Sequence, residues 1–357
     1  MRIVTIVGAR PQFIKCAPLS KELRKHHTEI LVHTGQHYDF EMSRVFFDEL
    51  KIPEPDYNLN AGSGSHAAQT AKILVATEEV LIKESPGLVI VFGDTNSTLA
   101  GSLAASKLHI PVAHVEAGLR SFDRTMPEEI NRVLTDHMSN LLFTPTKRAV
   151  QNLRKEGLVR GVYDTGDVMV DSLESARAAM RKSAILDNLG LVEKRYAIMT
   201  VHRASNTDSI DNLRRILDAV SHFDGTIVFP VHPRTRKAMQ DGGLDKKTAP
   251  NIRIVPPIGY VESLRLMAGA AIVITDSGGM QKEAYLLGTR CITLRENTEW
   301  PETLAGGWNE LVGVDPSRIR GALDLKRAAG QRKMPFGEPG ASGRMAAVIE
   351  SFGSAGM

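Results

Sequence analysis

Met1-Arg2-Ile3-Val4-Thr5-Ile6-Val7-Gly8-Ala9-Arg10 opens the chain, and its first residues decide the fold class. The run Arg2–Val7 is rich in β-branched residues and lacks period-2 alternation. Such a run suits a strand buried on both faces, as in a parallel sheet covered by helices. It passes straight into a glycine turn and a helical pattern. The same arrangement recurs along the chain. Apolar runs at Glu29–His33, Leu88–Phe92, Val112–Val115 and Leu141–Phe143 make a first series. Tyr196–Val201, Thr226–Val231, Ile252–Val255, Ala271–Thr275, Arg290–Leu294 and Leu311–Val314 make a second. Between them lie amphipathic segments such as Asp211–Phe223, where Leu213, Ile216, Leu217, Val220 and Phe223 form one apolar stripe. This alternation predicts an α/β protein with doubly wound, Rossmann-like sheets.

At 357 residues, the chain is long enough for two such domains at roughly 100–200 residues each. The glycine-punctuated stretch Gly157–Asp171 predicts the seam, giving domains 1–165 and 166–340. A Pro/Gly-rich stretch, Met334–Gly343, precedes a last apolar helix around Met345–Phe352, within a terminal segment 341–357 expected to cross back onto the first domain. Two α/β domains of similar size are expected to face a ligand cleft. Lys and Arg number 44 against 41 Asp and Glu, a net charge of +3, which argues against binding nucleic acid or membrane by bulk electrostatics. Aromatics make up only 5%, too few for a long stacking groove. Cys16 and Cys291 lie in different halves with no CxxC or Cys/His cluster, so both thiols are expected to pack as small hydrophobes in a reducing compartment. The first apolar run is too short for a signal-peptide core, and no run of 18 apolar residues occurs, so a cytoplasmic protein is expected.

Polar clusters follow the strands, where open α/β sheets bind ligands. In Gly8-Ala9-Arg10-Pro11-Gln12-Phe13-Ile14-Lys15, two cations stand near a helix start and suit a phosphate; a solvated basic loop is the alternative. In Gly93-Asp94-Thr95-Asn96, Asp94 ends a strand, although Asp94 or Thr95 can equally cap the next helix. In His114-Val115-Glu116-Ala117-Gly118-Leu119-Arg120, Glu116 is harder to read as a cap. In Met126-Pro127-Glu128-Glu129, acids at a helix start also compensate the dipole, and one of the two is expected to do only that.

In the second half, Val201-His202-Arg203-Ala204-Ser205-Asn206 and His232-Pro233-Arg234 each pair a histidine with an arginine, which favours an anionic ligand. Thr275-Asp276-Ser277-Gly278-Gly279-Met280-Gln281-Lys282-Glu283 joins a strand to a helix. The amides of Ser277, Gly278 and Gly279 can meet a diphosphate without a Cβ in the way, and Glu283 stands one turn on, suited to a ribose. Arg295-Glu296-Asn297-Thr298-Glu299-Trp300-Pro301-Glu302 is another strand end dense in polar groups. No HxH, HExxH or acid pair has metal-ligand spacing, and no GxSxG elbow appears, so neither metal catalysis nor a serine hydrolase is expected. The residues alone point to a nucleotide or phosphorylated ligand.

Taken together, GARPQFIK, TGQH, FGDTNSTLAG, HVEAGLRS, PEEINR, the HR…N pair, HP, DSGGMQKEA and RENTEWPE resemble the non-hydrolysing UDP-N-acetylglucosamine 2-epimerase family, in family order from residue 8 to about 302. The tail FGEPGASGR also fits. The resemblance implies a GT-B-like fold, a homodimer, and a role in polysaccharide biosynthesis. It implies inversion at C2 of UDP-GlcNAc to UDP-ManNAc without a cofactor, by elimination of UDP to 2-acetamidoglucal and re-addition. Such chemistry needs cations and amides around the departing diphosphate and acid/base groups on both faces of C2. Carried over by position, Arg10, Lys15, Asp94, Glu116, Glu128 and His202 match functional positions, and Ser277, Gly279 and Glu283 match uridine diphosphate contacts. Asp94, Glu116, Glu128 and His202 are the implied catalytic set, with His202 assigned to the diphosphate. Arg10, Lys15, Arg203, Asn206, His232, Ser277, Gly278, Gly279, Glu283 and Arg295 are the implied substrate contacts. Gln36-His37-Tyr38-Asp39 departs from the Gln-His-Arg-Gln stretch with which many members bind a second, activating UDP-GlcNAc. The same variant resembles relatives acting on UDP-2,3-diacetamido-2,3-dideoxyglucuronate. A hydrolysing epimerase, a GT-B glycosyltransferase and a nucleotide-sugar sensor are the rival readings.

Overall fold

The computed structural model describes residues 1–36, 52–324 and 330–355. The chain divides into two compact units, Met1–Ala176 with Met334–Met357, and Arg177–Lys333. The divide falls within the helix Val168–Lys182, later than the 165/166 seam read from the sequence. Val168 packs into the first core and Ser172 donates to the Ile14 carbonyl at 2.7 Å, which ties the start of this helix to the first unit.

The first unit carries β1 (Arg2–Val7), β2 (Thr28–His33), β3 (Tyr57–Asn58), β4 (Leu88–Phe92), β5 (Val112–Val115), β6 (Leu141–Thr144) and β7 (Val162–Asp164). They form a seven-stranded sheet in the order β3-β2-β1-β4-β5-β6-β7, with every described pairing parallel. The second unit carries β8 (Tyr196–Thr200), β9 (Thr226–Pro230), β10 (Ile252–Val255), β11 (Ile272–Thr275), β12 (Arg290–Thr293) and β13 (Asn309–Leu311). Their order is β10-β9-β8-β11-β12-β13, again parallel. Both are doubly wound sheets, and each reverses direction once, between β1 and β4 and between β8 and β11. A ligand is expected outside the strand ends at such a reversal.

The strand composition explains this layering. Along β4 all five residues are buried. Leu88, Ile90 and Phe92 enter a core shared with Phe13, Cys16 and Leu19 of the helix Arg10–Leu23, while Val89 and Val91 enter one shared with Val80, Leu81 and Ala104. Alternate residues thus feed two covered faces. The predicted stripe Leu213, Ile216, Leu217, Val220 and Phe223 is buried in the second unit's core, in and just beyond the helix Ile210–Val220. The terminal helix Ala341–Ala355 returns to the first unit, where Met345 and Ile349 join the core of β1 and β4. Asp171 anchors its start by accepting from the Gly340 and Ser342 amides and the Ser342 hydroxyl, at 2.6 to 2.7 Å.

Three strands depart from the sequence reading. β3 and β7 went unpredicted because both are short and none of their residues is buried. The run placed at Leu311–Val314 lies earlier, at Asn309–Leu311, because pairing with β12 sets Asn309 opposite Cys291. Asn309 is a buried polar residue held by Thr293, Gln281 and Thr303, which an apolar-run reading passes over. Cys16 and Cys291 are free and buried; burial, reinforced at Cys16 by Glu29, pushes both thiols up, Cys291 to about 12.

Candidate active site

In the first unit the candidate residues sit at the reversal between β1 and β4. Gly8 ends β1 where a Cβ would collide with the Ser97 and Thr34 hydroxyls, so only glycine fits. Its amide and that of Ala9 both donate to Gln12 Oε1, at 2.8 and 3.0 Å. Gln12 Nε2 in turn donates to the Phe92 carbonyl at 2.8 Å, joining the ends of β1 and β4. These two amides are therefore engaged, and the anion reading of this turn rests on its cations. Lys15 forms a largely buried ion pair with Glu116. Gly93 lies beside that pair: a Cβ there would stand 3.4 Å from both Glu116 Oε2 and Lys15 Nζ.

Glu116 is buried and adopts φ +77°, a left-handed conformation that costs a non-glycine residue on the order of 1–3 kcal/mol. Strain of this kind concentrates at functional sites, and here it presents the carboxylate to Lys15. Asp94 accepts from Arg132 Nη2 at 2.6 Å, and its carbonyl accepts from Asn131 at 2.9 Å. The helix Pro127–Met138 supplies both partners. It also separates the two adjacent acids. Glu129 is buried, accepting from Arg132, the Ser121 hydroxyl and the Ser121 and Phe122 amides, a structural assignment. Glu128 is half-buried and has no hydrogen-bond partner among the described residues.

Behind the two turns lies a buried polar chain. His114 Nδ1 is 2.7 Å from Asp136 Oδ1, and its Nε2 is 2.7 Å from the Gly93 carbonyl. Asp136 Oδ2 accepts from the Gly118 amide at 3.1 Å and Arg120 Nη1 at 2.7 Å. Arg120 then grips Glu156 with two bonds, at 2.6 and 2.7 Å. Burial alone would push the Asp136 carboxyl up, but His114 and Arg120 outweigh it and hold it below the usual carboxylate range. The hydrogen bond from Arg120 similarly holds Glu156 down.

In the second unit the reversal between β8 and β11 gathers residues around Asp276, which is fully buried. It accepts from the His202 and Arg203 amides and from Asn206 Nδ2, at 2.9 to 3.1 Å. His202 Nδ1 stands 3.2 Å from Asp276 Oδ1, so the ring is oriented from behind while 43% of the side chain remains exposed. Ser277 caps the helix Gly278–Leu287, its hydroxyl accepting from the Met280 amide. Gly278 and Gly279 differ in what surrounds them. A Cβ on Gly278 would run into Glu299, which also pairs with Arg295 at 2.9 Å and approaches Arg203 at 4.0 Å. A Cβ on Gly279 would meet nothing nearer than the Ser277 hydroxyl at 3.9 Å. Glu283 is buried one turn into the same helix. His232 stands apart: it is exposed and caps its own helix, Pro233–Asp241, through the Arg234 amide. The Arg234 guanidinium is engaged by Asp208, at 2.7 and 2.9 Å, so the second histidine–arginine pair is not an open anion cradle. Among the described residues no group of three or more His, Cys, Asp or Glu is placed to hold a metal, and no helix is long and apolar enough to cross a membrane.

The family model for UDP-N-acetylglucosamine 2-epimerase matches residues 21–350. The chain belongs to that family. It is an epimerase with the family's two Rossmann-like, GT-B-like sheets. A UDP-N-acetylglucosamine 2-epimerase homolog of Methanococcus maripaludis is 54% identical over 98% of this chain and 100% of the relative. The UDP-2,3-diacetamido-2,3-dideoxy-D-glucuronate 2-epimerase of Pseudomonas aeruginosa is 47% identical over 88% of this chain and 89% of its own. Among solved structures, Methanocaldococcus jannaschii UDP-GlcNAc 2-epimerase in complex with UDP-GlcNAc and UDP matches with a TM-score of 0.93 at 43% identity, covering 98% of this chain and 100% of that one.

Within the epimerase, sequence reasoning named the residues that end strands but missed those that hold them. Gln12, Arg132, Asp136 and Asp276 stood inside quoted or neighbouring stretches without a role. Gln281 went the same way: its Oε1 accepts from Thr298 at 2.8 Å and fixes the polar stretch after β12. Of the stretch compared with the activator site, Gln36 accepts from the Ser97 hydroxyl at 2.6 Å, while His37, Tyr38 and Asp39 lie outside the described residues.

Proposed function

We propose that this epimerase inverts C2 of UDP-N-acetylglucosamine to give UDP-N-acetylmannosamine, by eliminating UDP across C1–C2 and re-adding it after protonation on the other face. The observation that carries the reading is the division of chemistry between the two sheet reversals. Carboxylates with cations in attendance occupy the first, and a helix N-terminus with His202 and Arg203 occupies the second. Glu116 against Lys15 and Asp94 against Arg132 suit removal of the C2 proton. Glu128, without a partner among the described residues, suits its return. As the C1–O bond breaks, charge gathers on the diphosphate. Arg10, His202, Arg203 and the Ser277–Gly279 amides suit its stabilisation. Glu283 suits the ribose, Arg295 supports the loop through Glu299, and Asn206 supports His202 through Asp276. His232 remains a substrate contact only through its exposed ring.

A second reading has a specific support: the 47% identity to a UDP-2,3-diacetamido-2,3-dideoxy-D-glucuronate 2-epimerase. The two are separated by offering each sugar nucleotide alone, with no acceptor. Accumulation of UDP-ManNAc from UDP-GlcNAc supports the leading reading. Turnover confined to the diacetamido-glucuronate contradicts it, free ManNAc with UDP marks a hydrolysing enzyme, and dependence on an acceptor marks a glycosyltransferase. We further propose a cytoplasmic homodimer feeding polysaccharide biosynthesis. Exposed apolar residues support the dimer: Ile130 and Leu134 on one face of Pro127–Met138, and Val75 and Ile82 on one face of His66–Glu84.

A further inference from the structure

We propose that His114 is a positioning residue for the epimerisation, donating from both ring nitrogens to lock the Gly93–Asp94 turn and the Glu116–Gly118 turn in one register. The proposal rests on the reading of Asp94 and Glu116 as acid/base groups. Its basis is the hydrogen-bond accounting around a fully buried ring. The Gly93 carbonyl can only accept, so Nε2, at 2.7 Å, carries a proton. Nδ1 faces Asp136 Oδ1 at 2.7 Å. That carboxylate accepts from the Gly118 amide and Arg120 through Oδ2, and the buried Arg120 guanidinium beside it favours its ionised form, so Oδ1 accepts from His114 as well. With Arg120 and Glu156, the chain of four groups balances two cations with two anions, which permits its burial.

The position of the ring gives this pair its consequence. Gly93, at φ +62°, precedes Asp94 and has its amide bound to the Val115 carbonyl at 3.0 Å and its carbonyl bound to His114. Both ends of the residue before Asp94 are therefore tied to β5. On the other side, Glu116 at φ +77° and Gly118 at φ +81° form a turn that Asp136 holds through the Gly118 amide. The His114–Asp136 pair is thus a direct link between the turns that carry the two carboxylates. Of the uridine diphosphate contacts proposed above, all but Arg10 belong to the other unit, and Arg10 lies on neither of the two linked turns, so loss of the link should damage proton transfer and spare UDP binding.

Two experiments on the full chain test this. In protein labelled with 15N-histidine, NMR of the His114 ring at neutral pH, assigned by comparison with a variant, should show a proton on both nitrogens. One bare nitrogen would overturn the proposal whether or not any variant folds. His114→Asn keeps a donor toward Asp136 but loses the bond to Gly93. Because a catalytic group displaced by about 1 Å loses on the order of a hundredfold in rate, its kcat should fall ~100-fold, with the Kd for UDP within about threefold. His114→Gln keeps a donor toward the Gly93 carbonyl but loses the bond to Asp136, so its kcat should also fall, by about tenfold or more, the equivalent of one hydrogen bond to a charged group. An unchanged kcat in His114→Asn, or a loss of UDP binding in step with kcat, would contradict the positioning role. A wild-type enzyme that fails to turn over either sugar nucleotide would instead count against the proposed function, a result distinct from the ring's protonation.

Discussion

Glu116 is the residue at which sequence, backbone and chemistry meet. In the sequence it stands out because glutamate caps helices poorly. In the structure it is buried, left-handed at φ +77° and paired with Lys15. Backbone strain of this kind concentrates at functional sites, and it supports the proposed acid/base role of Glu116. Glu116→Gln is therefore expected to lower C2 proton exchange by 10²-fold or more, in the range of general acid–base catalysis, while UDP affinity is retained. NMR exchange rates and calorimetric titration with UDP check both halves. Wild-type-like exchange would remove Glu116 from the essential set. Glu283→Gln should act in the opposite sense, weakening UDP binding about tenfold or more, as for loss of a hydrogen bond to a charged group, with less effect on exchange.

The helix Gly278–Leu287 illustrates how far an element can be read from its letters. In the sequence the pair Gly278-Gly279 reads as one place without a Cβ, but in the structure the two positions differ. At Gly278 the obstacle is Glu299, a residue far along the chain, and at Gly279 the surroundings are open. Gly278→Ala should lower stability by about 1–3 kcal/mol, the usual cost of overpacking. Gly279→Ala should leave the melting temperature near wild type and weaken UDP binding. Equal effects of the two on melting would contradict this division. The same limit applies to strands. Long apolar runs announced β1, β4 and β8, whereas β3 and β7 are recognisable only through their sheet partners. Strand-end acids and cations were legible because the fold places ligands there. Asp136 and Asp276 were not, because their partners are assembled across long stretches of chain: Asp276 meets His202, and Asp136 meets His114.

At the scale of the whole molecule, the two sheets share one plan, with one reversal each and the candidate site residues gathered near both. At the first, the buried chain from His114 to Glu156 ties the neighbouring turns together. Because the Asp136 carboxyl is held below its usual range, the stability it contributes is present above that range. It is lost as pH falls through the depressed value, below about pH 4. Asp136→Asn should cost ~3–5 kcal/mol at neutral pH, as when one partner of a buried pair is removed, and should flatten the acid limb of the unfolding curve. Denaturation at a series of pH values checks the sign; an equally steep acid limb in the variant would contradict it. Leu134→Glu, by placing a charge on the exposed apolar face, should shift the protein to monomer in analytical ultracentrifugation.

The central claim is that proton removal and return at C2 accompany reversible loss of UDP. Its most direct test is incubation with UDP-GlcNAc in D2O, followed by NMR. Deuterium at C2 of both recovered UDP-GlcNAc and newly formed UDP-ManNAc is predicted, with no acceptor and no added nicotinamide cofactor. Recovery of UDP-GlcNAc that still carries hydrogen at C2, with no UDP-ManNAc formed, would contradict the account.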